Sequence, residues 1–563
     1  MMFPKIKTQF DESNFPQLIL TIIWTCAFSA IMVLPIYGLF LKAFQNSLGE
    51  FIGFKNYIYY FSTPSLLQSI TNTLTVSSIT AIVSTTLGFC FAFALMRTNI
   101  KFKHFFKYAA LIPLFMPTVL HGIGLITLFG KQGILTSWGI EVEIYGKMGI
   151  ILSEIIYTFP QAFLMFYITL NYVDGWLYEA ADTMGCSVIR KFLKITVPEI
   201  KYTLISSIFV CFTLAFTDFG APKVLGGTYN VLAIDLYKQI AGQFNFNMGA
   251  VVSTLFLIPA VMSLIADRLV SKKSSTSIGS KAKALRIKGN KWRDAIFFTL
   301  CSLIVIFFLS IICALTVNAL TTYYPYNMGI TFEHFKFSQS TGGIKSFFNS
   351  INMSILTAIF GTIFVFIYAY LIEKGKGLYR LKKIGKFLSV LPIALPGMVI
   401  GISFIFFFNS KTNPLNFVYG TVIILVLANI LHFYAVPYVT ATSALRKLDK
   451  EFESVSESMR IPMWKVFLKV TVPMSLPAIL EIFIYYFINA MVTVSAVVFL
   501  YSANFKIASI AITHMEDAGD IAQAAAMGLL IFISNLLIRG AYEITLNYIK
   551  NQIKKKEEIK TYD

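Results

Sequence analysis

Few side chains in this sequence are placed to make or break a covalent bond. The five His (His104, His121, His334, His432 and His514) are scattered without ligand spacing. The six Cys form no CxxC pair, and no nucleophile can be paired with a base. No GxxxxGK[ST] phosphate loop occurs; Gly342-Gly343-Ile344-Lys345-Ser346 echoes one with the wrong spacing. What remains is charge inside long apolar runs, where lost hydration makes an ionisable group a functional candidate. His121, Glu154, Asp218 and Glu481 qualify, with Asn489 as a polar companion. Asp218 follows Thr217 in Phe216-Thr217-Asp218-Phe219-Gly220-Ala221-Pro222-Lys223, and Thr493-Val494-Ser495 holds the matching place later in the chain. These groups could line an exit path for a polar solute. The plainer alternative is an interfacial acid, paired or hydrated, that holds the Gly-Ala-Pro turn. Passage rather than catalysis is the expected chemistry, with no enzyme active site, metal site or cofactor.

The elements that hold these groups follow from composition. Of 563 residues, 56% are hydrophobic and only 13% charged, with a mean hydropathy of +0.70. A soluble domain carries about 25% charged residues. The expectation is an all-α membrane protein with about twelve spans of roughly 20 residues each. The first six are 18–41, 70–96, 106–129, 148–170, 203–219 and 248–269; the last six are 295–320, 351–372, 387–408, 417–441, 477–500 and 521–544. The net charge of +19 does not point to nucleic acid, because the basic residues lie between apolar runs rather than on a soluble, aromatic-interleaved domain. Placing the N-terminus in the cytosol puts most Lys and Arg inside, including Arg97 to Lys103 and Lys374 to Lys386. Residues 1–17 then form a cytosolic N-terminus whose following apolar run is a retained span rather than a signal peptide. Residues 271–293 are a Ser/Lys-rich cytosolic linker, and 549–563 a basic cytosolic tail.

The two halves, 18–270 and 294–548, repeat. Leu111-Ile112-Pro113-Leu114-Phe115-Met116-Pro117 matches Val390-Leu391-Pro392-Ile393-Ala394-Leu395-Pro396, with Gly122 and Gly401 following. Pro160 matches Pro437, and Met248-Gly249 matches Met527-Gly528. Phe192-Leu193-Lys194-Ile195-Thr196-Val197-Pro198 matches Phe467-Leu468-Lys469-Val470-Thr471-Val472-Pro473. Order and spacing are kept, so both halves have equal span number and one orientation, related by an axis along the membrane normal. The paired prolines either free carbonyls beside a pathway or kink helices for packing alone.

Between two spans of each half lies a stretch that is neither apolar nor random. In 175–198, Leu177, Ala181, Met184 and Val188 recur at helical spacing, while Glu179, Asp182, Arg190, Lys191 and Lys194 take the other faces. Gly185 suits a left-handed cap, and Pro198 suits the start of the next span. The expectation is two short helices with a kink between them, lying on the membrane as a knob for a partner. The pattern Glu179-Ala180-Ala181, then Gly185, then Pro198 resembles the EAA loop of binding-protein-dependent ABC importer permeases. In 449–473, Ser454-Val455-Ser456 replaces the acid and alanines, Arg460 replaces Gly185, and Pro462 takes over the breaking.

The resemblance to fused type I ABC importer permeases spans nearly the whole chain. It implies two copies of an ABC ATPase subunit docked on the two loops, which themselves bind no ATP. It also implies a solute-binding protein at the extracytoplasmic face of a bacterial plasma membrane. The fused form, with Met491 to Val497, looks like iron(III) and phosphonate permeases, and Phe216 to Val224 with Asn230 to Ala233 looks most like those for 2-aminoethylphosphonate. That phosphonate is the expected cargo; iron(III), thiamine, polyamine or another small anion stays open. A twelve-helix secondary transporter is the rival from another class, opposed by the repeated cytosolic loop.

Overall fold

The computed structural model describes residues 15–173, 175–274, 287, 289–375, 379–449, 451–459 and 461–562. Residues 1–14, the middle of the linker and Arg460 lie outside that description. The first half runs α1 (Phe15–Ala43), α2 (Lys55–Ser62), α3 (Pro64–Arg97), α4 (Lys103–Ala109), α5 (Thr118–Phe129), α6 (Lys147–Tyr172), α7 (Gly175–Thr183), α8 (Val188–Lys191), α9 (Val197–Thr217), α10 (Gly220–Leu225), α11 (Leu232–Tyr237) and α12 (Phe246–Ser274). The second runs α13 (Lys291–Leu320), α14 (Lys345–Lys374), α15 (Tyr379–Val390), α16 (Gly397–Phe408), α17 (Val422–His432), α18 (Ala435–Lys447), α19 (Glu451–Ser458), α20 (Met463–Val466), α21 (Val472–Met474), α22 (Leu476–Val492), α23 (Ala508–Asp517) and α24 (Ile521–Tyr562). A two-stranded antiparallel ribbon, β1 (Thr321–Tyr323) and β2 (Asn327–Ile330), interrupts the helices. Among the described residues eight helices are long and apolar enough to cross a membrane, and four bent pairs bring the number to twelve. The linker is shorter than expected, since α12 reaches Ser274 and α13 begins at Lys291.

Three expected spans are bent rather than continuous, and a fourth bend falls just before the span expected at 477–500. Lys103–Phe115 meets Thr118–Phe129 at 104°, and Tyr379–Ala394 meets Gly397–Phe408 at 110°. Pro113 and Pro392 open short 3-10 turns, while Pro117 and Pro396 sit extended just before α5 and α16. Proline lacks the N–H that would continue the ladder and bars helix from the residue before it. The matched Pro160 and Pro437 behave differently: Pro160 lies inside unbroken α6, whereas Pro437 starts α18 after a bend of 59°.

Pro198 does not open a new span. Helix runs from Val188 to Thr217 through one π turn, Phe192–Thr196, in which the Val197 N–H reaches the Phe192 carbonyl. The wider turn carries the chain past the donor that Pro198 lacks. The repeat does the same: Val472 N–H reaches Phe467 across the π turn Phe467–Thr471, just before Pro473. There the chain bends by a further 77° into α22, which ends at Val492 rather than at the expected residue 500.

The halves exchange their first helices. α1 lies on the second half, with Trp24 stacked on Phe364 at 5.1 Å, Phe28 4.4 Å from Tyr434, and the Thr25 hydroxyl 3.1 Å from that of Tyr368. α13 lies on the first half: Asn318 Nδ2 donates to Thr127 Oγ1 at 3.1 Å and Phe308 sits 5.3 Å from Phe159. Within the first half, α3 and α6 pack through small residues. Ser84 and Thr158 hydroxyls meet at 2.7 Å, and a Cβ on Gly88 would stand 2.7 Å from Ala162 Cβ and 2.8 Å from the Phe163 nitrogen. Such close backbone approach is how helices associate where no water drives them together.

Gly88→Ala must therefore push α3 from α6. It should cost about 1–3 kcal/mol, read as a lower Tm of the detergent-solubilised chain. Gly38→Ala, with nothing within 4 Å of its added carbon, should leave Tm unchanged.

Candidate functional site

The first knob is built by its glycine. α7 ends in a turn where the Cys186 N–H reaches the Ala181 carbonyl (2.9 Å) and the Gly185 N–H reaches that of Asp182 (3.1 Å), with Gly185 at φ +66°. This is the paired bonding of a left-handed helix cap. The Ser187 hydroxyl accepts from Arg190 N–H to start α8, and Lys191 pairs with Asp182 across the turn. The apolar stripe divides: Ala181 packs inward, while Leu177, Met184 and Val188 are exposed at 46%, 80% and 75%. Glu179 is half-buried, and Ala180 and Gly185 are exposed.

The second knob has the same shape by other means. Ile461 N–H reaches the Ser456 carbonyl (2.8 Å), and Pro462 stands extended before α20. Ser454 and Val455 are exposed, and the Ser456 hydroxyl bonds back to the Glu453 carbonyl at 2.8 Å. Arg460, the expected counterpart of Gly185, lies outside the described residues. A groove of about 770 Å³ is lined by Phe452, Val455, Ile461, Pro462 and Lys465.

Each knob is latched to the last residue of a neighbouring long helix, with different chemistry. Arg97, ending α3, lies 5.3 Å over the Tyr178 ring and donates to the Leu170 carbonyl at 2.8 Å; the Tyr178 hydroxyl meets that of Thr196 at 2.8 Å. Lys374, ending α14, pairs with Glu453 at 2.6 Å. Tyr178 and Glu453 occupy the same register relative to the repeated Phe192 and Phe467 segments. That alignment was the available signal for these latches, which the sequence reading missed.

The membrane acids sit at the far end of α9. Asp218 accepts from Thr118 Oγ1 and from the Ala221 N–H, both at 2.9 Å, so it does hold the Gly-Ala-Pro turn. Gly220 permits this: a Cβ there would meet Thr118 Oγ1 at 2.2 Å. Glu154 of α6 is 0% exposed and is hydrogen-bonded side chain to side chain with Asp218, the two acids sharing a proton. Tyr157, one turn further along α6, faces both acids and also Tyr485 of α22, which belongs to the other half. Neither tyrosine was singled out from sequence, since tyrosine in an apolar run reads as ordinary packing.

The other expected pathway residues divide. Asn489 is half-buried on α22 and donates to the Tyr485 carbonyl at 2.7 Å. The Thr217 hydroxyl bonds back to the Thr213 carbonyl (2.9 Å), and the Thr493 carbonyl accepts from Ser509 (2.5 Å). His121 is fully buried, its Nε2 3.3 Å from the Pro113 carbonyl, which also accepts from the Met116 N–H at 3.4 Å. Glu481 is exposed on α22. Among the described residues no three His, Cys, Asp or Glu side chains gather to hold a metal.

Beyond Asp218, away from the knobs, the halves are clasped. Phe219 lies 5.0 Å from Tyr237, which stacks at 6.1 Å on Phe499 of the second half. Lys223 does not serve Asp218; its Nζ reaches Asp517 across the midline at 2.5 Å and lies 5.8 Å over the Tyr237 ring. Burial alone pulls the Lys223 ammonium down, but the hydrogen bond and charge of Asp517, aided by Glu516, reverse that and hold it above its ordinary value. Burial pushes the Glu516 carboxyl up.

Two like halves, each with a bent helix pair and an external knob, give the architecture of a membrane transport permease. The chain belongs to the family described as the binding-protein-dependent transport system inner membrane component, which matches residues 84–272 and 378–546. It is the permease subunit of an ABC importer, a multi-pass inner-membrane protein and not itself an enzyme. It is 25% identical over 554 residues to the ferric transport system permease protein FbpB of Actinobacillus pleuropneumoniae, covering 95% of this chain and 79% of that one. It is 23% identical over 477 residues to the Fe(3+)-transport system permease protein FbpB 2 of Haemophilus influenzae, covering 84% and 89%. The sulfate transport system permease protein CysW of Synechocystis is 24% identical over 252 residues, 42% of this chain and 88% of that one, as expected for a partner of half the length. These relatives lend no support to the expected phosphonate; iron(III), the alternative, fits them better.

Since one partner of the Lys223–Asp517 pair is 46% exposed, the pair is worth about 1 kcal/mol at most. Asp517→Asn should speed maleimide labelling of a cysteine placed at Ser495 by up to about fivefold. Unchanged labelling means that the aromatic stack closes this end alone.

Proposed function

We propose that this chain supplies both membrane halves of an ATP-driven importer for iron(III). Two copies of a separate ABC ATPase subunit dock on α7 and α19, and an extracytoplasmic solute-binding protein docks at the clasped end. On this reading both termini and the linker are cytosolic, lipid surrounds the outer helices, and ATP is used by the partner alone. One observation carries the coupling role: the exposed apolar side chains Leu177, Met184, Val188, Phe452, Val455 and Met459 stand on two knobs that are rigidly latched to the spans behind them. A push on either knob is delivered to α3 or α14 and to the helix that follows the π turn. Closure of the ATPase pair would draw the knobs together, part the Lys223–Asp517 clasp and open the path outward.

The cargo rests on the ferric relatives.

Gly185 carries the simplest test. At φ +66° a β-branched side chain is strained by about 1–2 kcal/mol, whereas Asn tolerates the conformation. In cells that also express the ATPase and binding protein, Gly185→Val should cut ATP-dependent iron(III) uptake several-fold, and Gly185→Asn should keep most of it. Equal uptake by both variants would remove the first knob from coupling. Cysteines at Met184 and Val455 should each crosslink to the ATPase, and labelling from only one would reduce the two-knob scheme to one.

A further inference from the structure

We propose that the outward faces of α4 and α15 seat acidic phospholipid headgroups at the end of the molecule that carries the knobs. The two helices hold the same register of the repeat, in which Leu111 matches Val390. Lys101, Lys103, His104 and Lys107 then fall opposite Arg380, Lys382, Lys383 and Lys386, and Phe105 and Tyr108 opposite Ile384 and Phe387. The bases divide by face. Lys107 lies 5.1 Å over the Tyr167 ring, Lys386 pairs with Glu373 at 2.9 Å, and Lys382 donates to the Gly375 carbonyl. Lys101, His104, Arg380 and Lys383 are exposed, and among the described residues none of the four joins an ion pair. Phe105, Tyr108, Ile384 and Phe387 are exposed beside them. Side chains three, four and seven positions apart share one helix face. Each helix therefore presents two polar donors followed by two apolar side chains, the pattern of a helix lying in the headgroup layer.

The fold puts this face at the membrane surface. α4 follows Arg97 and α15 follows Lys374, the residues that latch the knobs, so both begin at that end. The inward side of each is committed to protein. Phe106 packs on Phe298 of α13 at 5.6 Å, and a Cβ on Gly385, its counterpart, would stand 2.5 Å from the Tyr368 hydroxyl. α13 gives the depth. It starts at Lys291, Trp292 is 84% exposed, and Asp294 accepts from the Asn99 N–H at 3.2 Å. An exposed Trp beside Lys and Arg at the end of a long apolar helix marks the headgroup level. Phe298 stands about 9 Å further along that helix. α4 therefore lies where headgroups give way to acyl chains, and the bends of 104° and 110° set α4 and α15 crosswise to α5 and α16. Unpaired bases at that depth favour acidic over zwitterionic headgroups, each Lys or Arg adding to the attraction. The second seat is the stronger, because Lys383 stands where the first has His104.

The test uses the full chain purified with its ATPase subunits and stripped of lipid. Palmitoyl-oleoyl phosphatidylglycerol or the matching phosphatidylcholine is added back, and retained lipid is counted by native mass spectrometry. Wild type should hold phosphatidylglycerol about fivefold or more tightly than phosphatidylcholine, and inorganic phosphate should not displace it. Arg380→Gln with Lys383→Gln should weaken phosphatidylglycerol retention about tenfold and leave phosphatidylcholine unchanged, and Lys101→Gln with His104→Gln should give a smaller loss. Lys147→Gln with Lys411→Gln removes two exposed bases at the opposite end and should change nothing. Monodisperse elution reports folding. If the Arg380 and Lys383 pair fails it, Lys383→Gln alone takes its place, with about a fivefold loss expected. Equal retention of the two lipids by wild type, or undiminished phosphatidylglycerol retention in the variants of α15, overturns the seat. So does an equal loss in the Lys147 and Lys411 pair, which reports charge in general, or displacement by phosphate, which reports a free-anion site. Variants that lose the ATPase while keeping phosphatidylglycerol assign the face to a protein partner and overturn it as well.

Discussion

Inside an apolar slab a backbone carbonyl or N–H released from its helix has no water to turn to, and the shape of this protein follows from how each release is satisfied. At the first proline bend the Pro113 carbonyl takes the Met116 N–H and meets His121, and Asn535 of α24, from the other half, donates to the Phe115 carbonyl at 3.0 Å. α9 stops short at Thr217 because Asp218 accepts the amide of Ala221 and starts the next turn. The missing donors at Pro198 and Pro473 are absorbed by widened turns. The proline bends at Pro113 and Pro392 create irregular backbone within the molecule, whereas the π turns lie nearer the surface, with Pro198 and Pro473 exposed. The path is possible because the breaks are satisfied, not because the helices are loose.

Much of this was legible in the chain. Repeated segments with constant spacing announced two like halves, and the Gly185 turn followed from the one residue type that accepts a positive φ without penalty. Asp218 and Glu154 stood out because charge in an apolar run is rare. Their meeting did not, since nothing in periodicity tells which faces of α6 and α9 turn toward each other. The prolines were visible but their effects were not: Pro160 lies inside an unbroken helix, whereas Pro437 follows a bend of 59°. His121 stood out as charge in an apolar run, but the carbonyl it meets was not readable from the chain.

The two knobs are alike in shape and unlike in restraint. A cation over an aromatic ring, backed by a hydroxyl pair, holds the first; an ion pair holds the second. Lys374 is only 8% exposed in that pair, so salt screens it less than it would a surface bridge. The duplication has kept a restraint on each knob while its chemistry has diverged.

The exchange of first helices has a consequence for biosynthesis. α1 is made first, yet the groove it fills includes α16, which begins at Gly397. At about 5–20 residues per second, ribosomal elongation leaves α1 waiting roughly 20–70 s in the bilayer before that surface exists. Meanwhile Trp24 and Phe28 face lipid or an insertion factor, and the newborn half stays unfinished until its twin has been translated.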